Sequence, residues 1–355
     1  MKRHGNLFKD IINYDNIKLA HKKAKRGKAH YTEVQMVRSN PDKYLKRVQQ
    51  SLIDGSFTTS EYSVFKIYRP KEREISRLPY YPDRIVQHAI MNIIQPIWDA
   101  IFIYDVYSAI PGKGIHKAIN RLKWFLKDKN NTQYCLQFDI EKFYPSVNHE
   151  VLKRLIRRKI KCKDTLWILD DLIDGSSGNT GIPIGNYTSQ YFANIYLNWL
   201  DHWIKQELKC KYYIRYADDG VILDRNKANL HSIKDKIGNY LKDELKLAFN
   251  PKTQIYPVDS RGIDFLGYRT FRDYVLLRKS SVRNFKKKLE TIKRYKMPNQ
   301  HIMSSIMSYV GWIQHCNGYN LINRFLLKDD EILDIMDKAC NQLEIDNPMR
   351  KKYKI

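Results

Sequence analysis

The chain has 355 residues, of which 43% are hydrophobic and 12% aromatic, so two or three packed subdomains are expected and a disordered chain is excluded. Lysine and arginine number 63 against 38 acidic residues, and the net charge of +25 favours a polyanionic partner, nucleic acid before an acidic membrane surface. The sequence has no apolar run of about 18 residues and no signal-peptide segment at its start, so neither membrane insertion nor secretion is expected.

Cysteine spacing bears on compartment and on metal binding. The five cysteines stand far apart, and none belongs to a C-x-x-C pair. Neither a zinc knuckle nor a disulfide framework is therefore expected, and the pattern favours a reducing cytoplasm. The residues are Cys135, Cys162, Cys210, Cys316 and Cys340.

Residues 1–60 are polar and are predicted to be mostly helical. A helix is expected over Pro41–Leu52, with its end at Asp54-Gly55. The basic stretch His21–His30 fits a nucleic-acid contact and fits a solvated helix face equally well, because runs of charge are common on protein surfaces.

Residues 62–79 change to short apolar alternation, which predicts two strands around a turn at Pro70–Glu72. Lys71, Arg73 and Arg77 lie in or just after this turn. Cations on a hairpin suit the triphosphate of an incoming nucleotide, because arginine offers a planar fork and lysine a compact charge. Ion pairs with the neighbouring glutamates are the alternative.

Two further features precede the first candidate catalytic residue. Asp83 is placed to cap a helix whose apolar residues recur at intervals of three and four. Gly112 and Gly114 then bracket Lys113 ahead of an amphipathic helix, where a backbone contact to a nucleic-acid strand would fit. The full G-x-x-x-x-G-K-[ST] spacing is missing, which excludes a Walker-type ATPase.

An acidic residue interrupts the apolar run Cys135–Ile140, which predicts a strand with Asp139 near its end and a helix from Val151 onward. An aspartate on a central apolar strand costs free energy unless it is paired or bound to a metal. Tyr144 follows Asp139 closely, and it either lines a sugar pocket or is a core tyrosine.

Residues 181–187 are rich in glycine, proline and asparagine, which predicts a turn, and a helix with a buried face is predicted from about Thr188. Gly185 allows a ligand or a strand to approach the backbone closely. Ile184, beside it, offers such a ligand only an apolar surface.

The stretch Tyr212–Leu223 carries the strongest signal in the chain. Asp218 and Asp219 separate two apolar, β-branched and aromatic runs, which predicts a β-hairpin with a tight turn closed by Gly220. An isolated Asp-Asp-Gly is most often a solvated turn. Together with Asp139, however, the two aspartates make a set that could bind two magnesium ions, hold triphosphate oxygens and activate a primer 3′-hydroxyl for in-line attack.

The remainder alternates between helix and strand. Ala228–Leu245 is predicted to be an amphipathic helix and Lys252–Leu277 a strand-rich stretch, in which Phe265-Leu266-Gly267 suggests close backbone approach. From Ser280 the pattern predicts helix with one apolar face. The opposite face suits either the phosphates of a duplex or plain solvent. It is formed by Arg283, Lys286, Lys287, Lys293 and Arg294.

Taken together, the order of these features resembles that of a reverse transcriptase from about Tyr62 to Asn320. The matching features are a basic hairpin, a strand ending in Asp139, a glycine turn followed by Ser189-Gln190, a Tyr-Ala-Asp-Asp hairpin, a Phe-Leu-Gly strand and a basic helical tail. The resemblance implies an α/β (α+β) right-hand polymerase fold. It divides the chain into an N-terminal extension (1–60), fingers (61–135), a palm (136–275, with an insertion at about 150–185) and a thumb (280–355).

The resemblance also implies roles for individual residues. Asp139, Asp218 and Asp219 match the catalytic carboxylates that bind two Mg²⁺ ions, with Ile140 as a further metal contact, and Tyr144 matches the steric gate. The implied nucleotide contacts are Lys71, Arg73, Tyr144, Ile184, Gly185 and Gln190. The implied nucleic-acid contacts are Phe265, Leu266, Gly267, Arg283, Lys286 and Lys287.

One segment narrows the family. Most reverse transcriptases carry Q-G-x-x-x-S-P where this chain has I-G-x-x-x-S-Q, from Ile184 to Gln190. This segment is similar to that of diversity-generating retroelements, whose enzymes copy a template-repeat RNA into cDNA mutated at adenines, and Ser308–Asn317 looks like their thumb. Isoleucine cannot make the hydrogen bond of a glutamine amide, so mispairing should be penalised less.

Two alternatives stay open. One is another prokaryotic reverse transcriptase, of the retron, abortive-infection or group II intron type, because Ala217 is shared with group II intron enzymes. The other is an RNA-binding protein whose polymerase site has decayed. The resemblance implies, as partners, template RNA, the cDNA or RNA–DNA duplex, deoxynucleoside triphosphates and a small, basic, oligomeric accessory protein. A prokaryotic or phage-encoded cytoplasmic protein without membrane association is expected.

Overall fold

A computed structural model describes residues 2–68, 72–176 and 178–353, so Lys71, a predicted nucleotide contact, lies outside the described residues. The helices are α1 (Phe8–Ile11), α2 (Tyr14–Ala24), α3 (Thr32–Ser39), α4 (Pro41–Ile53), α5 (Ile85–Asp99), α6 (Ile115–Leu126), α7 (Phe143–Ser146), α8 (His149–Arg157), α9 (Lys163–Asp174), α10 (Tyr187–Gln206), α11 (Lys227–Leu245), α12 (Val258–Arg261), α13 (Lys279–Arg294), α14 (Asn299–Ile313), α15 (Tyr319–Ile322), α16 (Asp330–Gln342) and α17 (Pro348–Tyr353). The strands are β1 (Ser63–Ile67), β2 (Arg73–Arg77), β3 (Tyr134–Phe138), β4 (Tyr212–Tyr216), β5 (Asp219–Asp224), β6 (Gln254–Pro257), β7 (Ile263–Phe265), β8 (Tyr268–Thr270) and β9 (Val275–Leu277).

The chain folds into two compact units that interleave in sequence. The first unit comprises Met1–Gly114, Leu136–Ile222 and Lys227–Ile255. The second comprises Ile115–Cys135, Leu223–Asn226 and Tyr256–Ile355. Across the described ranges, every helix is too short or too polar to cross a bilayer.

A four-stranded sheet, in the order β4-β5-β3-β6, carries the hairpin predicted from the sequence. The neighbouring strands β4 and β5 are joined by a turn of two residues and are therefore antiparallel. Four of the five residues of β4 and four of the six residues of β5 are buried. Strands buried on both faces read as continuous apolar runs, which is why the sequence signal was strong here.

The exposed hairpin of β1 and β2 in the first unit pairs antiparallel, with Ser63 opposite Arg77 and Ile67 opposite Arg73. This confirms the predicted strands on either side of the turn. The hairpin is tied to the predicted glycine turn, because the backbone N–H of Ser76 donates to the carbonyl of Ile184 at 3.0 Å.

The predicted cap of α5 is wrong. The helix begins at Ile85 after a separate helical turn, Tyr80–Arg84, and no side chain caps it. The Asp83 carboxylate instead accepts hydrogen bonds from the backbone N–H of Ser60 at 2.9 Å and from its hydroxyl at 2.7 Å. Asp83 is fully buried, so its charge is used to fix the chain entering the β1–β2 hairpin.

The second unit contains the antiparallel meander β7-β8-β9. The predicted two-sided pattern of α13 is confirmed for Phe285, Leu289 and Ile292, which are buried. Arg283, Lys286 and Lys287 are exposed on the same helix. Lys293, predicted to belong to that basic face, pairs instead with Asp329 at 2.7 Å and Glu331 at 3.1 Å.

Candidate active site

The hairpin turn consists of Ala217 and Asp218, between the end of β4 and the start of β5. Ala217 has a φ of 52°, a left-handed conformation that costs a non-glycine residue about 1 to 2 kcal/mol. Gly220, expected to close the turn, lies inside β5 instead. A Cβ built on it would come within 2.2 Å of the Phe138 ring on β3, so glycine is required there for strand packing.

Asp139 immediately follows β3, the strand beside β5, and this places it next to the Ala217–Asp218 turn. The carboxyl groups of Asp139 and Asp218 lie within hydrogen-bonding range of each other. Burial and then the charge of Asp139 raise the pKa of Asp218 to about 6. Like charges held together disfavour the doubly ionised state, which is the situation a bound cation relieves.

Asn250 holds Asp139 in place and was not predicted from the sequence. Its side-chain amide donates to Asp139 Oδ2 at 3.0 Å, and its backbone N–H donates to the carbonyl of Asp139 at 2.8 Å. The flanking bridge between Ile140 and Phe249 aligns this segment, and the Ile140 side chain is buried. A lone asparagine after a helix carries no sequence signal, because its partner is more than a hundred positions away.

Asp219 is the first residue of β5. Asp218 lies in the turn before this strand, so strand alternation does not fix the relative orientation of the two neighbouring carboxylates. Within the described ranges, no three His, Cys, Asp or Glu side chains are close enough to hold one metal ion. The structure thus brings two of the three predicted carboxylates together, and metal binding by Asp219 stays a prediction.

The donor chemistry of this pair fits a hard divalent cation. Mg²⁺ takes oxygen ligands and is commonly bound by one or two carboxylates together with substrate phosphates. Asp139 and Asp218 offer such oxygens from adjacent chain segments, and the raised pKa of Asp218 reflects the repulsion that a cation would remove.

A cation and an aromatic ring share the electrostatic environment of Asp218. Arg73 on β2 acts against the rise in the pKa of Asp218. Burial and the charge of Asp218 raise the pKa of Tyr144 on α7 to about 12, and Arg73 again acts in the opposite direction. Two residues predicted from the sequence, Arg73 and Tyr144, therefore lie within range of the charge of Asp218.

The glycine turn belongs to the same region of the first unit. Gly185 has a φ of 124°, and a Cβ on it would lie 2.8 Å from the carbonyl oxygen of Ser76 and 3.2 Å from Cγ2 of Ile75. The close approach anticipated at Gly185 is therefore to strand β2. Ile184 is half-buried beside it, whereas Gln190 is exposed on α10.

The backbone contact with nucleic acid predicted around Lys113 stays a prediction, and the lysine side chain is used within its own loop. The Lys113 ammonium donates to the carbonyls of Tyr104 at 2.6 Å and Val106 at 2.9 Å. Its charge also lies over the rings of Tyr104 and Tyr107. The lysine side chain therefore closes its own loop.

In the second unit, Leu266 and Gly267 form the turn between β7 and β8, with φ values of 51° and 84°. A Cβ on Gly267 would lie 2.9 Å from the Trp312 ring. The Phe265 side chain is 1% exposed, so it belongs to the core of the unit and its predicted contact with nucleic acid would need another atom than the ring. The contacts of Leu266, Gly267 and the α13 cations with nucleic acid stay predictions.

Residues 69–270 match the family model described as reverse transcriptase (RNA-dependent DNA polymerase), which covers more than half of the chain. The chain belongs to the reverse transcriptase family. Family membership, with the mixture of helices and antiparallel sheets seen here, confirms the predicted right-hand polymerase fold class.

Among curated relatives, Protein YkfC of Escherichia coli K12 is 26% identical over 252 residues, which cover 58% of this chain and 66% of that protein. The group II intron-encoded protein LtrA of Lactococcus lactis subsp. cremoris is 22% identical over 297 residues, covering 63% of this chain and 49% of LtrA. The matches thus span from 49% to 66% of the length of these relatives.

A solved structure of apo telomerase from Candida tropicalis overlaps 86% of this chain and 63% of its own, at 13% identity and a TM-score of 0.49. At that score the overlap adds nothing to the family assignment.

Proposed function

We propose that this protein is an RNA-directed DNA polymerase, which joins deoxynucleotides to a primer 3′-hydroxyl on an RNA template. The observation that carries the proposal is the Asp139–Asp218 carboxylate pair, at the hairpin turn of a chain from the reverse transcriptase family. A surface salt bridge or solvated turn would not produce two acidic groups pressed together and partly buried.

Each residue of the site has a separate proposed role. Asp139 and Asp218 would hold magnesium, with Asp219 as the third proposed ligand, and two bound ions would supply Lewis-acid stabilisation of charge on the reacting phosphate. Arg73 is exposed and close enough for its charge to act on Asp218, so its guanidinium would bind triphosphate oxygens in this region. Tyr144 is half-buried with its ring near that carboxylate, where it can limit the space around the sugar.

The finer proposal is that the product is error-prone cDNA copied from a template-repeat RNA of a diversity-generating retroelement. Ile184 supports it, because an apolar side chain cannot hydrogen-bond a nucleotide or template base. Its backbone is bonded to β2, the strand that carries Arg73. A lost hydrogen bond at this turn would therefore loosen discrimination close to the proposed triphosphate contact.

A second candidate is a reverse transcriptase of the group II intron type. The match to LtrA favours it. The two candidates predict the same chemistry at Asp139 and Asp218, and they differ in the errors made opposite template adenines.

The proposed partners follow from charge and family. Template RNA, the RNA–DNA duplex and deoxynucleoside triphosphates are all polyanions, and the net charge of +25 supports their binding, with affinity falling as salt rises. A small, basic, oligomeric accessory protein is proposed as well. A cytoplasmic location is proposed from the wide spacing of the five cysteines along the sequence.

The proposal is tested with purified protein, template RNA, a primer, magnesium and deoxynucleotides. Wild-type protein is expected to make cDNA that RNase treatment of the template prevents and that Asp218→Asn abolishes. Absence of cDNA across templates and primers would contradict polymerase activity.

Sequencing that cDNA tests the finer proposal. We expect errors concentrated opposite template adenines, and we expect Ile184→Gln to reduce them by restoring a hydrogen-bonding side chain. Ile184→Val is the matched control, because it stays apolar and should keep the errors. Uniformly low error in the wild type would favour the group II intron type instead.

A further inference from the structure

Arg215 is a buried cation on β4, within the run of strand residues that leads to the catalytic turn. It is 1% exposed, and its ion-pair partner, Asp201 on α10, is fully buried. Two parallel hydrogen bonds join them, from Nε to Oδ1 at 2.7 Å and from Nη2 to Oδ2 at 2.5 Å. This bidentate geometry uses two edges of the guanidinium and leaves Nη1 for another acceptor.

That remaining nitrogen reaches the turn. Arg215 Nη1 donates to the carbonyl of Ala217 at 2.7 Å and makes a longer bond of 3.3 Å to Asn194 Oδ1. Ala217 is the residue in the left-handed conformation, and its carbonyl belongs to the peptide bond that leads into Asp218. A strained conformation persists only where its surroundings fix it, and this hydrogen bond is a direct fixing contact.

Stability alone does not account for this arrangement. Well-packed apolar side chains often replace a buried ion pair at no cost in stability, since desolvation of two charges offsets their attraction. What an apolar pair cannot supply is a third N–H group aimed at the turn carbonyl. The arginine fork supplies it, and lysine does not have the matching geometry.

We propose that Arg215, oriented by Asp201, is a positioning residue that fixes the Ala217–Asp218 turn and so holds the Asp218 carboxylate beside Asp139 before any cation binds. The inference rests on the proposed polymerase function for its catalytic consequence, and on the hydrogen bonds alone for its structural one. Arg215 itself touches no reacting atom. Its effect is transmitted through the backbone of the turn.

The first test is Arg215→Lys in the full-length protein, which keeps the charge and loses the fork. In metal-free buffer, hydrogen exchange of the backbone amides of residues 217–220 should accelerate about tenfold, while exchange in α11 stays unchanged. In the primer-extension assay kcat should fall by about 100-fold, as expected for a misplaced catalytic group, with little change in KM for deoxynucleotide.

Arg157→Lys is the matched control, because it also keeps the charge and loses the fork. Arg157 on α8 forms another bidentate ion pair in the first unit, with Asp170 on α9, and its Nη1 donates to Asp170 Oδ1 at 3.0 Å. It should lower the melting temperature and leave both the exchange of residues 217–220 and kcat unchanged. If it accelerates exchange in the turn as Arg215→Lys does, the effect is general loosening and the proposal is overturned.

Ala217→Gly supplies a rescue. Glycine adopts a φ of 52° without a Cβ penalty, so in the Arg215→Lys background it should recover part of the lost kcat. If Arg215→Lys does not fold, Asp201→Asn is the second variant, because it keeps the shape of the acceptor and weakens the orientation of the fork, and it should accelerate turn exchange to a smaller extent.

Unchanged exchange at residues 217–220 in a folded Arg215 or Asp201 variant would overturn the proposal. That result is distinct from failure of the proposed function. A wild-type protein that makes no cDNA contradicts the polymerase assignment, while the exchange measurements still decide whether Arg215 fixes the turn.

Discussion

Two hairpin turns in this chain begin with a residue in the left-handed conformation and differ in the side chains that surround it. The turn between β4 and β5 begins with Ala217 at a φ of 52°, and the turn between β7 and β8 begins with Leu266 at a φ of 51°. At the first, a buried guanidinium holds the turn carbonyl and a carboxylate projects beside another carboxylate. At the second, the Trp312 ring packs over Gly267.

The comparison shows that a left-handed turn residue marks a constrained position. The conformation alone does not distinguish a functional role from a packing role. Around Asp218 the neighbours are charged, so the constraint places a functional group that the fold by itself disfavours. Around Gly267 the neighbours are aromatic, so the constraint serves packing. The distinction predicts opposite responses of stability to substitution at the two turns.

The largest expected effect is at the first turn. Asp218→Asn should reduce cDNA synthesis by at least about 10³-fold. It should also raise the free energy of unfolding in metal-free buffer at pH 7 by about 1 to 3 kcal/mol, because it removes a carboxylate whose pKa is raised to about 6. Asp235→Asn on α11, an exposed aspartate, is the control and should change neither quantity. Destabilisation by Asp218→Asn would mean that the carboxylate pair is not repulsive.

At the second turn the expected change in the free energy of unfolding has the opposite sign. Gly267→Ala should lower the free energy of unfolding by about 1 to 3 kcal/mol, since alanine is strained at a φ of 84° and its Cβ would lie 2.9 Å from the Trp312 ring. Urea unfolding measures the loss. Gly27→Ala is the control for backbone strain alone, because its φ is 68° and no atom lies within 4 Å of the added Cβ. Equal losses at both glycines would show that Trp312 packing contributes nothing.

The smallest expected effect is the pH dependence of magnesium binding at the first turn. Asp218 is protonated in the folded, metal-free protein below a pKa of about 6, so protons compete with magnesium there. Magnesium binding can be followed by the rise in melting temperature that the metal causes. The magnesium concentration at half of this rise should increase about fourfold when the pH is lowered from 8 to 5.5.

Without metal, the same group acts on stability in the opposite sense to an ordinary ion-paired aspartate. Its folded pKa lies above its usual 3.8, so its contribution to stability should increase as pH falls from about 6 to about 4. Comparison with Asp218→Asn isolates this contribution, and a difference between the two proteins that does not vary with pH would contradict the assigned pKa.

Sequence reasoning succeeded where a signal was local. The hairpin, the strand before Asp139, the helix faces and the family could all be predicted, because burial pattern and residue order are written along the chain. The predicted boundaries of fingers, palm and thumb stay a prediction.

It failed where a residue type has several uses that only spatial neighbours separate. Gly220 was expected in the turn, and it lies in a strand because Phe138 on the adjacent strand needs the space. Asp83 was expected to cap a helix, and it binds Ser60 instead. Arg215 could have been noticed, since an arginine inside the apolar run YYIRY needs a buried acid, but the identity of that acid depends on the packing of α10.

The bond between Ser76 and Ile184 has a consequence for how such an enzyme can change over evolution or by design. A backbone hydrogen bond joins the glycine turn to β2, the strand that carries Arg73. A substitution that changes the conformation of the turn should therefore also move the guanidinium that is proposed to bind the triphosphate. The accuracy of copying and the affinity for the incoming nucleotide are thereby coupled. A variant selected for higher accuracy should therefore also change in nucleotide affinity. To alter one property without the other, the hydrogen bond between β2 and the turn would first have to be broken.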